Sequence, residues 1–88
     1  MLQKHALLRF SKKTGKIDTT MTGLGTGMMK LWALQNTTSS KMCFIVNLET
    51  GLIVYQTTGT KDGFPDVKEN NLGHIDDVCE GLWEVLVA

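Results

Sequence analysis

Proline occurs once in 88 residues, aromatic side chains make up 7% of the chain, and nine basic residues are cancelled by nine acidic ones. With so little proline and no long polar tract, the composition excludes a disordered segment. A sequence pI near 6.7 lies well below the value of about 9 that marks a dedicated nucleic-acid domain. There are two cysteines, Cys43 inside the apolar run 42–46 and Cys79 on an apolar stripe, too few for a disulfide scaffold. They point to a reducing compartment, read here as the cytoplasm. No apolar run approaches the length that crosses a bilayer, and Lys4, His5 and Arg9 leave no room for a secretory leader's apolar core. Neither a membrane nor a secreted setting is therefore expected. A chain this short has room for one domain, residues 1–88, with a radius of gyration of roughly 12 Å and no separate cofactor-binding unit.

The cancelled net charge hides a segregation. Residues 1–44 hold seven basic residues against one acid, and residues 45–88 hold two against eight, so the halves carry +6 and −6. If the halves stay apart in space, the surface has a basic and an acidic region; if they interleave, the two cancel.

Two hairpins are legible. Residues 4–10 form an apolar run, residues 11–16 supply turn chemistry around Gly15, and the chain returns through residues 17–22. The pattern recurs at 41–48, with a Glu49-Thr50-Gly51 turn and a return over 52–58. An offset of 36 residues aligns Thr14 with Thr50 and Gly15 with Gly51, an echo that shared turn chemistry explains without duplication. Between the hairpins, residues 28–35 are ambiguous: their composition favours a helix, but eight residues are marginal for one. The five-residue polar loop after them suits a hairpin, so the expectation is a strand and a three-stranded meander over 28–58. Residues 60–66 form a loop marked by Asp62-Gly63 and Pro65. Leu72, Ile75, Cys79, Leu82 and Leu86 then recur at spacings of three and four, predicting an amphipathic C-terminal helix capped by Asn70 or Asn71. Gly81 is its weak point, and residues 82–87 form a last strand if the helix ends there. The expected fold is α+β, a small antiparallel sheet of four or five strands with hairpins at 4–22 and 41–58 and one amphipathic C-terminal helix.

Four groups of residues are candidates for function. Asp76, Asp77, Glu80 and Glu84 would form an acidic helix face for a protein partner. Phe64, at a Gly-Phe-Pro loop tip, is either tucked under its loop or presented outward as an anchor. Gly23, Gly25 and Gly27, followed by Lys30, could turn backbone N–H groups toward an anion, although the segment matches no nucleotide-binding fingerprint. Arg9, Lys12, Lys13 and Lys16 on the first hairpin would attract a phosphate backbone, with Phe10 available to stack a base if it faced outward. His74, Asp76, Asp77 and Cys79 are close in sequence, but His74 and Cys79 fall on different helix faces, while His74 and Asp77 could pair at the first turn. The cysteines and histidines lack paired metal-ligand spacing, so neither metal nor cofactor is expected. The resulting expectation is a non-enzymatic binding or regulatory module acting by association with a protein partner yet to be identified. The open sheet edges point to a homodimer. The alternatives are a nucleic-acid-binding domain using the first hairpin and small-anion binding at 23–27.

Overall fold

The apolar residues of β1 (His5–Ser11) and β3 (Lys41–Asn47) run on without strict alternation, as strands covered on both faces require. The computed structural model describes residues 4–60 and 63–88. In it β1 and β3 are central in a five-stranded antiparallel sheet of order β2-β1-β3-β4-β5, completed by β2 (Ile17–Met21), β4 (Ile53–Gly59) and β5 (Pro65–Lys68). The α+β class, the sheet and both hairpins match the sequence expectation, and the radius of gyration is 12.1 Å. The loop expected over 60–66 includes Lys61 and Asp62, which lie outside the described residues.

Residues 28–35 are not a strand. They belong to helix α1 (Thr26–Asn36), which carries the chain from β2 across β1 to β3. Polar residues read as a hairpin loop instead close the helix: the Asn36 amide donates to the Trp32 carbonyl at 2.9 Å, and the Thr37 hydroxyl to that of Ala33 at 2.6 Å. Both satisfy acceptors that a helix end leaves open. Packing overcomes the marginal length, because Met29 and Ala33 are fully buried against Leu7, Cys43, Ile45 and Tyr55. There is no meander over 28–58.

The opposite sheet face carries Leu8, Phe10, Phe44, Val46 and Ile53, with Phe10 and Phe44 in edge-to-face contact at 5.4 Å. A bulge in β4 lets one strand serve both faces. Ile45 pairs with Tyr55 but Val46 pairs with Ile53, so Val54 is the extra residue. Ile53 and Tyr55, two apart, consequently join opposite cores.

The C-terminal apolar stripe packs on this second face, as its spacing predicts, but in pieces. A single 3-10 turn (Ile75–Asp77) buries Ile75, and a short helix α2 (Leu82–Val87) brings Leu82, Trp83 and Leu86 against the core. One continuous helix is interrupted because Asn70, Asn71, Gly73 and Gly81 all have φ between +54° and +85°. Asn70 and Asn71 are therefore not its cap, and residues 82–87 are not a strand. His74 is the cap: its Nδ1 accepts from the Asp76 N–H at 3.1 Å, and Asp77 accepts from the His74 N–H at 3.2 Å. Ile75 N–H to the Gly51 carbonyl, 2.9 Å, and Trp83 Nε1–H to the Leu48 carbonyl, 3.0 Å, fix the segment to the β3–β4 turn. No described helix is long and apolar enough to cross a membrane.

Candidate functional site

Of α1's residues only Lys30 is charged, and apolar side chains surround the helix. One row, Met29 and Ala33, is buried on the sheet, with Trp32 partly covered beside it. The outward row stays uncovered: Leu24 is 45% exposed, Met28 59%, Leu31 49% and Leu34 40%. Met28, Leu31 and Leu34 are three residues apart on the helix and form one ridge, and Leu24 lies in the turn just ahead of it. The flanks hold its charged neighbours away. On one side Lys30 is bound to Glu69 at 3.0 Å and lies over the Tyr55 ring at 5.2 Å. On the other, Arg9 binds Asp18 at 2.8 Å and lies over the Trp32 ring at 5.4 Å. The result is an uncharged apolar ridge flanked by paired charges, Lys30 with Glu69 on one side and Arg9 with Asp18 on the other. Isolated exposed leucines are ordinary, but a contiguous row on a helix is the usual form of a docking surface.

The expected sites are distributed differently. Asp76 and Asp77 are used internally: Asp76 Oδ1 accepts from the Trp83 N–H at 3.0 Å, and Asp77 closes the His74 cap. Glu80 and Glu84 are exposed, but Gly81 and the break in the helix separate them from the other two, so the four acids share no helix. Phe64 is 76% exposed and points outward, with the Thr60 hydroxyl donating to its carbonyl at 2.7 Å. Gly25 precedes the first turn of α1 and Gly27 lies within it, while Gly23 turns the approach. Lys30 does not join them, because its ammonium is drawn to Glu69.

The first hairpin is divided. Arg9 is a structural residue that binds Asp18 and donates to the Asn36 carbonyl at 3.3 Å, and Phe10 is buried and cannot stack a base. Lys12, Lys13 and Lys16 remain exposed at the tip. Asp18 also accepts from Lys41, and these two cations hold its carboxyl far below the ordinary carboxylate range. Burial pushes the Cys43 thiol and the Tyr55 phenol up. The charge halves partly interleave: the hairpin lysines lie at one end of the strands and Glu49, Asp76 and Asp77 at the end where β3 turns into β4, but Lys30 binds Glu69, Lys4 lies beside Leu48, and Asp66 pairs with Thr58 at the lysine end. Among the described residues, no group of three or more His, Cys, Asp or Glu side chains is arranged to hold a metal.

The ridge on α1 escaped the sequence reading because a strand was expected there. The signal was present: a run with Lys30 and Gln35 as its polar members cannot hide every apolar side chain once it is helical and lies on one sheet. No protein-family model, curated protein or solved structure matches this chain.

Proposed function

We propose that this chain is a non-enzymatic association module whose docking surface is the outer ridge of α1, and that the surface is occupied by a second copy. The observation that carries the reading is the exposed row Met28, Leu31 and Leu34 on a helix with no outward charge, with Leu24 exposed just ahead of it. Two such faces meet across a two-fold axis without like-charge repulsion, with Leu31 near the axis and Met28 of one copy against Leu34 of the other. Met28 adds a flexible side chain that fills an imperfect fit. The sheet edges call less for a partner: β5 is four residues long and carries Pro65 and Lys68, and β2 is bulged at Asp18. An exposed patch on the order of 300–400 Å² per copy falls below the area of tight dimers, so the association proposed is a weak, transient one. A reducing, cytoplasmic setting belongs to the same reading and is supported by two unpaired thiols, Cys43 and Cys79.

Amide chemical shifts recorded over a dilution series test the proposal. The expected result is concentration-dependent shifts concentrated on residues 24–35 that disappear in Leu31→Glu. Shifts confined to the strands of either sheet edge, or none up to millimolar protein, would remove α1 as the docking surface.

A further inference from the structure

His74 is held by its ring as well as by its backbone. The imidazole lies where a Cβ on residue 51 would stand, meets the Trp83 ring edge-to-face at 5.3 Å, and accepts the Asp76 N–H at Nδ1 over 3.1 Å. A nitrogen that accepts carries no proton, so the capped ring is the neutral tautomer with its proton on Nε2. The side chain is 28% exposed, and protons from water reach it. Histidine gains its second proton between about pH 8 and about pH 5. Once Nδ1 is protonated it is a donor facing another donor, and the cap on the Asp76 N–H is lost.

A replacement partner is in place. Asp76 Oδ2 lies 3.9 Å from Nδ1, too far for a hydrogen bond to the capped ring but within a small rotation of an imidazolium N–H. The same carboxylate holds the Trp83 N–H, in the first turn of α2, through Oδ1 at 3.0 Å. The charges around the ring favour the exchange. Its own turn contributes Asp76 and Asp77, the latter accepting the His74 N–H, and the elements packed against the ring contribute Glu49 from the β3–β4 turn and Glu84 from α2, with Glu80 just ahead of that helix. Lys4 adjoins the turn through its carbonyl, which accepts the Leu48 N–H at 2.8 Å. Among the described residues, Asp76 supplies the only carboxylate within 4 Å of a ring nitrogen of His74.

We infer that His74 is a proton-operated switch on the C-terminal segment. Neutral, it caps the 3-10 turn and seats on Gly51. Charged, it exchanges that cap for an ion pair with Asp76. The movement of ring and carboxylate frees the Trp83 N–H and loosens α2 over the core it covers. The switch lies on the sheet face opposite α1 and is independent of self-association there.

Amide hydrogen exchange of the full chain, corrected for its intrinsic pH dependence, would be compared at about pH 7.5 and about pH 5.5, alongside ring-nitrogen spectra of both histidines. Protection of residues 75–87 is expected to fall about fivefold at the lower pH, as for loss of one capping hydrogen bond, while β1 and β3 keep theirs. The ring of His74 should show an unprotonated Nδ1 at about pH 8, and the Asp76 amide and Trp83 indole signals should move with its midpoint, His5 serving as the reference. His74→Asn keeps an acceptor at the cap and takes up no proton, so its protection should be the same at both pH values. A protonated Nδ1 at about pH 8, or Asp76 and Trp83 signals that follow a carboxylate midpoint near about pH 4, would overturn the switch. So would equal wild-type protection at both pH values, or the same loss in a folded His74→Asn. The wild-type exchange and ring spectra decide the matter even if that variant fails to fold.

Discussion

Replacing Gly51 by alanine should destabilise the protein several times more than the same change at Gly15, although both residues sit in hairpin turns with nearly the same backbone. Their φ angles are +76° and +70°. The backbone cost is thus shared, about 1–2 kcal/mol for a residue with a Cβ, partly offset by roughly 0.4–1 kcal/mol from a stiffer unfolded chain. The surroundings differ. A methyl on Gly15 meets nothing within 4 Å, whereas one on Gly51 would overlap the His74 imidazole. That ring caps the 3-10 turn and packs edge-to-face on Trp83 at 5.3 Å, and Gly51 accepts the Ile75 N–H through its carbonyl. Displacing the ring loses a cap worth about 1 kcal/mol and loosens Ile75, whose full burial contributes about 1.5–3 kcal/mol. The expected losses are about 1 kcal/mol for Gly15→Ala and about 3–5 kcal/mol for Gly51→Ala, the latter a large share of what a domain this small has to lose. Urea unfolding followed by circular dichroism and tryptophan fluorescence measures both. Combining Gly51→Ala with His74→Ala removes the overlap, so the double variant should be more stable than the sum of the singles by at least about 1 kcal/mol. Equal losses at Gly15 and Gly51, or strict additivity in the double variant, would refute the claim that His74 seated on Gly51 holds the C-terminal segment.

Two further perturbations test other parts of the structure. Trp83→Phe keeps most of the apolar contact but leaves the Leu48 carbonyl without its 3.0 Å donor, so a loss of about 1–2 kcal/mol is expected, with faster proteolysis after residue 70 as a second readout. Asp18→Asn should destabilise the protein at neutral pH, because Arg9 and Lys41 hold the folded carboxyl below its ordinary value. A group with a depressed folded pKa stabilises the fold above its unfolded pKa of about 4 and loses that contribution as pH falls through the folded value. The melting-temperature gap between wild type and Asp18→Asn should therefore narrow from about pH 5 to about pH 2, and a constant gap would show that the Asp18 ion pairs contribute nothing.

The parts of the fold that could be read from the sequence were those where local chemistry and tertiary context agree. The turn at residues 49–51 places a glycine where the backbone needs positive φ between two β-branched runs, and the hairpin follows. Residues 28–35 were misread because two local signals pointed different ways, and the decisive influence lay elsewhere: β3 pairs with β1 rather than β2, which requires a crossover. In the C-terminal segment the apolar residues were identified but their backbone was not. Spacings of three and four also describe residues gathered by a turn, a left-handed glycine and a short helix. The acidic face was lost with that helix, since Asp76 and Asp77 bind backbone N–H groups instead of facing a partner together. The α1 ridge could not be told from core by spacing alone, because buried and exposed rows of one helix have the same period.

Sedimentation equilibrium of wild type and Leu31→Glu, over protein concentrations from about 5 to about 500 µM, tests most directly whether the outer ridge of α1 is an association surface. Wild type should pass from monomer to dimer across that range, while Leu31→Glu remains monomeric with an unchanged far-ultraviolet spectrum. A wild type that stays monomeric throughout, or a folded Leu31→Glu that dimerises equally well, would contradict the account.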